Sequence, residues 1–313
     1  RIGTEKGSAG GTARNIAIVH GGTVVANFLS DRFYLGPIAD NTAVGGNTRG
    51  ANSVDLQTLR SLASNVASGT ASFCAGQGNT ASNDTSIAIG WGCTSSGIRS
   101  AAIGSSCISS GICTMAMGAA SVCSSSESGL AAGYQVNVSG LYGPAGFGLR
   151  TTVSGTSAFA HGQQASANRH SQYSHASGFF AANGDAQSTR FVARIKTTNS
   201  TPTTLMLDGS VTRLTIPSGK IMFADVLISG VKSDGSAAAC YKRKVAIKNV
   251  GGTTSLVGTV ETIGTDHEDN AATDVAITAD NTNDALQIDV TGITSETWRW
   301  VAVVDGIEIA YGT

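Results

Sequence analysis

The chain has 313 residues, enough for two or three domains, yet only 13% are charged and 6% aromatic, while glycine reaches 40. So much glycine, against a usual share of about 7%, and so few large side chains exclude a conventional core over much of the length. A net charge of −1 lacks the broad positive excess that phosphate neutralisation requires, and no window approaches the roughly 20 apolar residues that span a bilayer. Nucleic acid and membrane insertion are therefore not expected.

Residues 1–66 form the first region, expected to be a β-rich connector. "NIAIVHGGTVVANFL" and "RFYLG" predict short strands around a Gly-Gly turn. "SVDLQTLRSLASNVASG" spaces Val54, Leu56, Leu59, Leu62 and Val66 loosely as a helix would, with Ser53 as N-cap, but suits an extended lead-in equally well. The chain opens on Arg1 rather than Met, so an upstream segment is expected.

Residues 67–187 carry a repeat. Gly76, Gly90, Gly104 and Gly118 are 14 residues apart, and the series continues through Gly133, Gly148, Gly162 and Gly178 at steps of 15, 15, 14 and 16. Two residues before each glycine stands a small residue, as in Cys74, Ala88, Ala102, Ala116 and Ala131. Larger residues mostly flank it, as in Ile87 with Ile89 and Met115 with Met117. Alternation with period two predicts a short strand with one small-residue face and one large-residue face. Ser/Gly-rich returns such as Cys93 to Gly97 complete a coil of about 14 residues. A narrow coil can bury only one face, so the other is expected to pack against neighbouring copies around an axis.

The units "TSIAIGWGCTSSG", "RSAAIGSSCISSG" and "CTMAMGAASVCSS" resemble the head repeats of YadA-like trimeric autotransporter adhesins. The resemblance covers about Ala67 to Gln187. It implies a left-handed parallel β-roll, threefold symmetry and a role in surface binding. "SGLYGPAGFG" and "QYSHASGFF" depart from the repeat with bulkier residues.

Five of the six cysteines fall inside the repeat, and Cys93 and Cys107 share a repeat position. They are expected to be small buried residues in a reducing compartment, since neither CxxC pairs nor zinc-ligand spacings occur.

Residues 188–313 change character, with long alternating runs such as "TRFVARIKT", "KIMFADVLISGV", "ACYKRKVAIKNV" and "TWRWVAVVDGIEIAYG". Turn pairs stand at Asp208-Gly209, Asp234-Gly235, Gly251-Gly252 and Asp305-Gly306. About eight or nine strands predict an antiparallel β-sandwich, a terminal knob. Its strands and turns look similar to the tip domains that end many phage tail fibres.

The fold class expected is thus all-β: a trimeric parallel β-roll stem followed by a sandwich knob. The function expected is that of a phage tail fibre or receptor-binding tip, with two further copies, other tail proteins and a host-surface glycan or protein as partners. A bacterial trimeric autotransporter adhesin is the alternative. Neither heptads nor amphipathic membrane strands follow Gly178, which favours the fibre.

No enzyme and no cofactor is expected. Glycoside hydrolysis needs two carboxylates roughly 5–9.5 Å apart, whereas Asp84, Glu127 and Asp185, the acids between Ala67 and Gln187, stand in separate coils. A glycan-cleaving tailspike is therefore the third reading. "GTDHEDNAATD" gathers Asp266, His267, Glu268, Asp269 and Asp274, a set open to cation binding or acid/base chemistry but ordinarily a solvated loop. Symmetry could bring copies of His161, His170 or His175 around an axial metal, though isolated histidines are ordinarily hydrogen-bonded or exposed. Trp298, Trp300, Tyr241 and Tyr311 are candidates for stacking on sugars. Trp298 and Trp300, two apart on one strand, are expected in the core instead. No site residue is assigned on these grounds.

Overall fold

The computed structural model describes residues 2–5, 15–20, 23–29, 32–35 and 40–311. Every regular element among them is a strand, and none is a helix. The architecture is a β-solenoid of about eight turns with roughly 14-residue spacing, followed by long antiparallel strands. Contacts divide the chain into two units, residues 1–150 and 151–313.

In the first unit, five-residue strands at Phe73–Gln77, Ile87–Trp91, Ala101–Ser105, Met115–Ala119, Leu130–Tyr134 and Ala145–Leu149 stack in parallel. Each residue faces its counterpart one repeat away: Ala88 pairs with Ala102 and Gly90 with Gly104. The two-residue strands of the returns form a second ladder, for example Thr94–Ser95 beside Ile108–Ser109.

The two faces of each strand are sorted by size. Cys74, Ala88, Ala102, Ala116 and Ala131 point inward and are fully buried. Ile87, Trp91, Met115, Met117 and Tyr134 point outward, with 37–57% of their surface exposed. From Cys74 to Ala131 the inward positions of these five-residue strands hold nothing larger than Cys, so the apolar repeat has its small residues inside and its large ones outside. Buried hydroxyls are satisfied locally: Ser72, Ser86, Ser100 and Thr114 each donate to the carbonyl three residues earlier, at 2.6–2.9 Å.

Stacking begins earlier than Ala67. Val54–Leu59 is a strand, not a helix, and runs parallel both to Phe73–Gln77 and to Arg32–Leu35. Its inward positions are Asp55 and Gln57, and Asp55 Oδ2 binds Arg49 Nε and Arg60 Nη2, each at 3.0 Å, with all three side chains essentially out of solvent. A buried charged triad thus fills the space that alanine and cysteine occupy further along. Upstream, Asn15–His20 and Thr23–Leu29 pair antiparallel, while the Gly21-Gly22 turn expected between them lies outside the described residues.

Cys74, Cys93, Cys107 and Cys123 are buried and Cys113 and Cys240 exposed, all as free thiols. Burial pushes the Cys74, Cys93 and Cys123 thiols up, toward the neutral form.

In the second unit the coil strands Phe159–Gln163 and Tyr173–Ser177 pair in parallel. The latter opens a large antiparallel sheet that continues through Ala186–Thr197, Trp298–Ala310, Lys220–Lys232 and Ala238–Val250. A smaller sheet has Thr203–Thr204 and Leu214–Thr215 against Ala285–Thr291, which pairs with Asp274–Asp280. Inward residues of both sheets, among them Phe191, Met222, Val226, Ile247, Ile288 and Trp300, form one apolar cluster. Each such side chain contributes about 1.5–3 kcal/mol by leaving water. Asp208-Gly209, Asp234-Gly235 and Gly251-Gly252 are turns or bends as expected, but Asp305-Gly306 is not. It lies within the continuous strand Trp298–Ala310, where the alternation of its neighbours outweighs local turn propensity.

Buried charge also fixes the start of this sheet. Glu308, inward on Trp298–Ala310, pairs with Arg169 from the last coil and with Lys220 Nζ at 3.8 Å, and it accepts a 2.9 Å hydrogen bond from Gln187 Nε2. Arg169 also lies over the Phe191 ring, 4.5 Å from its centroid.

Candidate functional site

Strand alternation turns one face of the large sheet to the core and the other to solvent. The outward residues of Ala186–Thr197 include Arg190, Val192, Arg194 and Lys196, and those of Ala238–Val250 include Lys242, Lys244 and Lys248. Between them, Trp298–Ala310 presents Arg299, Val301, Val303, Asp305 and Ile307, and Lys220–Lys232 presents Phe223, Asp225, Leu227 and Val231.

Register converts these into rows across the sheet. One row runs Phe159, Tyr173, Arg190, Asp305, Asp225, Lys244. The next carries Val192, Val303, Leu227 and Lys242. Strands lie about 4.8 Å apart, so the two basic flanks are separated by roughly 14 Å of apolar floor and carboxylate.

Asp225 and Asp305 are directly opposed, and the Cβ atoms of such a pair lie about 4.5–5.5 Å apart. Two like charges so placed repel. Lys242 Nζ and Lys244 Nζ, 3.9 and 3.8 Å from the Asp225 carboxylate, offset the repulsion, and Arg190 stands opposite Asp305. All are partly solvated, so each ion pair contributes at most about 1 kcal/mol and the group remains available to a ligand.

Depressions lie along this face, among them one of about 370 Å³ lined by Arg194, Lys196, Arg299 and Val301. Another of about 500 Å³ is lined by Leu227, Ser229, Lys242, Val301, Val303 and, from a covering loop, Ile263 to Thr265 and His267. A neighbouring one of about 180 Å³ is lined by Arg190, Asp225, Leu227, Lys242, Val303 and Asp305.

At the coil edge of the sheet lies an aromatic platform. The Phe159 and Tyr173 rings stack with centroids 5.2 Å apart and 9° between planes, His161 and His175 stack at 4.5 Å, and His161 Nε2 lies 2.7 Å from the Tyr173 hydroxyl. Burial, and then His175, hold His161 below the usual histidine range, so it is neutral near pH 7. His170 lies in the preceding turn, apart from these stacked rings.

The acidic loop does not converge on one point. Asp266 takes a bidentate pair from Arg243 at 2.6 and 2.8 Å, Glu268 accepts from the Tyr241 hydroxyl at 2.8 Å, and Asp269 accepts from the Ala238 backbone N–H at 2.8 Å. These bonds fasten the loop to strand Ala238–Val250. Among the described residues no group of three or more His, Cys, Asp or Glu is placed to hold a metal ion. Trp298 and Trp300 are buried, with their rings stacked at 5.5 Å, and Tyr241 is buried with them. Tyr311 is partly exposed and donates to the Asn249 carbonyl at 3.2 Å. Sequence reasoning missed the outward face, although the alternation of Arg190, Val192, Arg194 and Lys196 marks one of its flanks.

No protein-family model and no curated protein matches the chain. Among solved structures, three phage tailspike proteins align with it. The tailspike protein of Acinetobacter phage vB_ApiP_P1 aligns over 76% of this chain and 59% of its own, at 10% identity and a TM-score of 0.21. That of Acinetobacter baumannii phage AM24 aligns over 82% and 54%, at 12% identity and a TM-score of 0.24. Tailspike protein gp49 of Acinetobacter baumannii bacteriophage Fri1, a capsular polysaccharide depolymerase, aligns over 80% and 49%, at 8% identity and a TM-score of 0.22. The chain spans about half to three-fifths of the length of these proteins.

The expectation that the chain is no enzyme is corrected by this finding, since gp49 is a glycan-cleaving enzyme. The expectation rested on the scattered acids of the repeat, Asp84, Glu127 and Asp185. Asp225 and Asp305, 80 residues apart in sequence, are adjacent in the large sheet.

Proposed function

We propose that the chain is a host-attachment component of a phage tail that meets a glycan of the bacterial surface, acting as a homotrimer. The phage-tail setting is taken over from the three tailspike proteins as part of this proposal. The observation that carries the assembly is the inverted coil: from Cys74 to Ala131 the inward positions of the five-residue strands hold only Ala and Cys, while Ile87, Trp91, Met115, Met117 and Tyr134 form a partly exposed apolar ladder. A ladder of that kind marks an interface, and a left-handed, YadA-like roll packed around a threefold axis covers it. The two sheets of residues 188–313 form a sandwich knob that meets the host. Sedimentation of the purified chain is expected to give close to three times 31.5 kDa, and the same protein is expected to block adsorption of the parent phage. A monomer that leaves adsorption untouched overturns the proposal.

A second reading has its own observation. Asp225 and Asp305 are directly opposed on neighbouring strands, so two carboxylates share one row, as glycoside hydrolysis requires, on a face with apolar floor and aromatic edge. Incubation with host capsular polysaccharide is then expected to release new reducing ends, and Asp225→Asn or Asp305→Asn to slow release by about 10²-fold or more. Equal release by wild type and both variants removes this pair from the chemistry.

A further inference from the structure

The charge of the chain is distributed unevenly. The whole sequence carries −1, yet the outward face of the four long strands gathers cations along two rails. Arg190, Arg194 and Lys196, with Arg299 beside them, form one rail. Lys242, Lys244 and Lys248 form the other. Against these seven stand Asp225 and Asp305 in the two central strands, with Glu261 opposite Lys244 on the adjoining edge segment.

We propose that this face binds an anionic glycan, a polysaccharide bearing carboxylate or sulfate groups, laid along the strands between the two rails. The proposal rests on the host-attachment reading and supplies its ligand class. Opposite charge raises the local concentration of such a polymer and its association rate, by roughly 10- to 10³-fold when a cleft focuses the field. A second copy offering the same face would be repelled. Nucleic acid fits less well: its charge recurs every ~1.7 Å and would meet Asp225 and Asp305 at the centre of the face. A sugar polymer, charged only at intervals, places acidic groups on the rails and hydroxyls on the central carboxylates. The apolar floor of Leu227, Val301 and Val303 and the Phe159–Tyr173 stack suit the flat faces of sugar rings.

The test is retardation of the full chain in gels containing polygalacturonate, neutral dextran or duplex DNA. Wild type is expected to be retarded by polygalacturonate and not by dextran, with DNA weaker. K242E/K244E on one rail and R190E/K196E on the other are each expected to lose at least about tenfold in affinity while keeping the β-sheet circular dichroism of the wild type. R99E/R150E, with the same change in charge on the first unit, is expected to bind as wild type. No retardation by polygalacturonate, equal retardation by dextran, preference for DNA, or equal loss in R99E/R150E overturns the proposal. Because phage adsorption is scored separately, a chain that blocks adsorption without binding the acidic polymer sinks the ligand class and leaves the attachment reading standing.

Discussion

Gly90→Ala is expected to unfold the stacked coils of the first unit at temperatures where the wild type is intact. Gly90 sits at φ +121°, and a Cβ there would lie 1.9 Å from the carbonyl oxygen and 2.8 Å from the carbonyl carbon of Gly104 in the next coil. That neighbour is backbone and cannot rotate away. Relief requires the two coils to separate, which breaks ladder hydrogen bonds worth about 1 kcal/mol each and adds about 1–3 kcal/mol of backbone strain. A loss on the order of 4 kcal/mol is therefore expected, read as the shift of the urea unfolding midpoint. Gly78→Ala is the control. Gly78 also has positive φ, at +65°, but its Cβ would meet only Ser61 Oγ at 3.9 Å. The equivalent corner of later coils holds Ser106, Ala120, Gln135 and Arg150 at φ 52–54°, so the control is expected to lose only about 1 kcal/mol. Equal losses in the two variants would refute close coil approach as the cause.

The second large effect is expected at Glu308. Burial alone pushes its carboxyl up; Arg169 and then Lys220 more than reverse this and hold it below the usual carboxylate range. Glu308→Ala strands two buried cations, and a loss of about 3–5 kcal/mol is expected at pH 7. The sign of the pH dependence follows from the lowered value. A carboxyl that holds its proton less tightly when folded contributes stability that is fully present above the unfolded glutamate pKa, near 4.3. That contribution disappears as pH falls through the folded value. The gap between wild type and Glu308→Ala is therefore expected to be widest at pH 6–7 and to narrow steadily below pH 4. Parallel curves of urea midpoint against pH would exclude Glu308 as the titrating group.

The repeat was legible because its reason is geometric. Coil contact demands glycine at one position and a small residue two before it, and those demands recur from Gly76 to Gly162; in the last coil Ala176, and not the expected Gly178, stands opposite Gly162. The earlier turn was hidden by chemistry. Where later coils bury Ala or Cys, the strand Val54–Leu59 buries Asp55 and Gln57, whose polarity suggests a surface until Arg49 and Arg60 are seen beside them. The acidic loop was conspicuous as a run of letters, yet Arg243, Tyr241 and the Ala238 N–H occupy three of its acids. The basic face shows the reverse. Its cations are dispersed over strands that begin at Ala186, Ala238 and Trp298, and a whole-chain charge of −1 conceals their convergence. Only strand register brings Arg190, Asp305, Asp225 and Lys244 into one line.

The equivalence of successive coils in the first unit also bears on how such a gene can change. Excising residues 87–100 would join Ser86 to Ala101, both of which follow and precede the same structural positions as the residues removed. Inner small residues would still meet inner small residues, and Gly76 would stack on Gly104 as it now does on Gly90. Because each repeat contacts mainly its neighbours, lineages can lengthen or shorten this segment by unequal recombination in whole steps of about 4.8 Å. Insertions of other lengths would throw every later glycine out of line. The length of the coil stack is thus heritable in discrete units, adjustable without inventing a new fold.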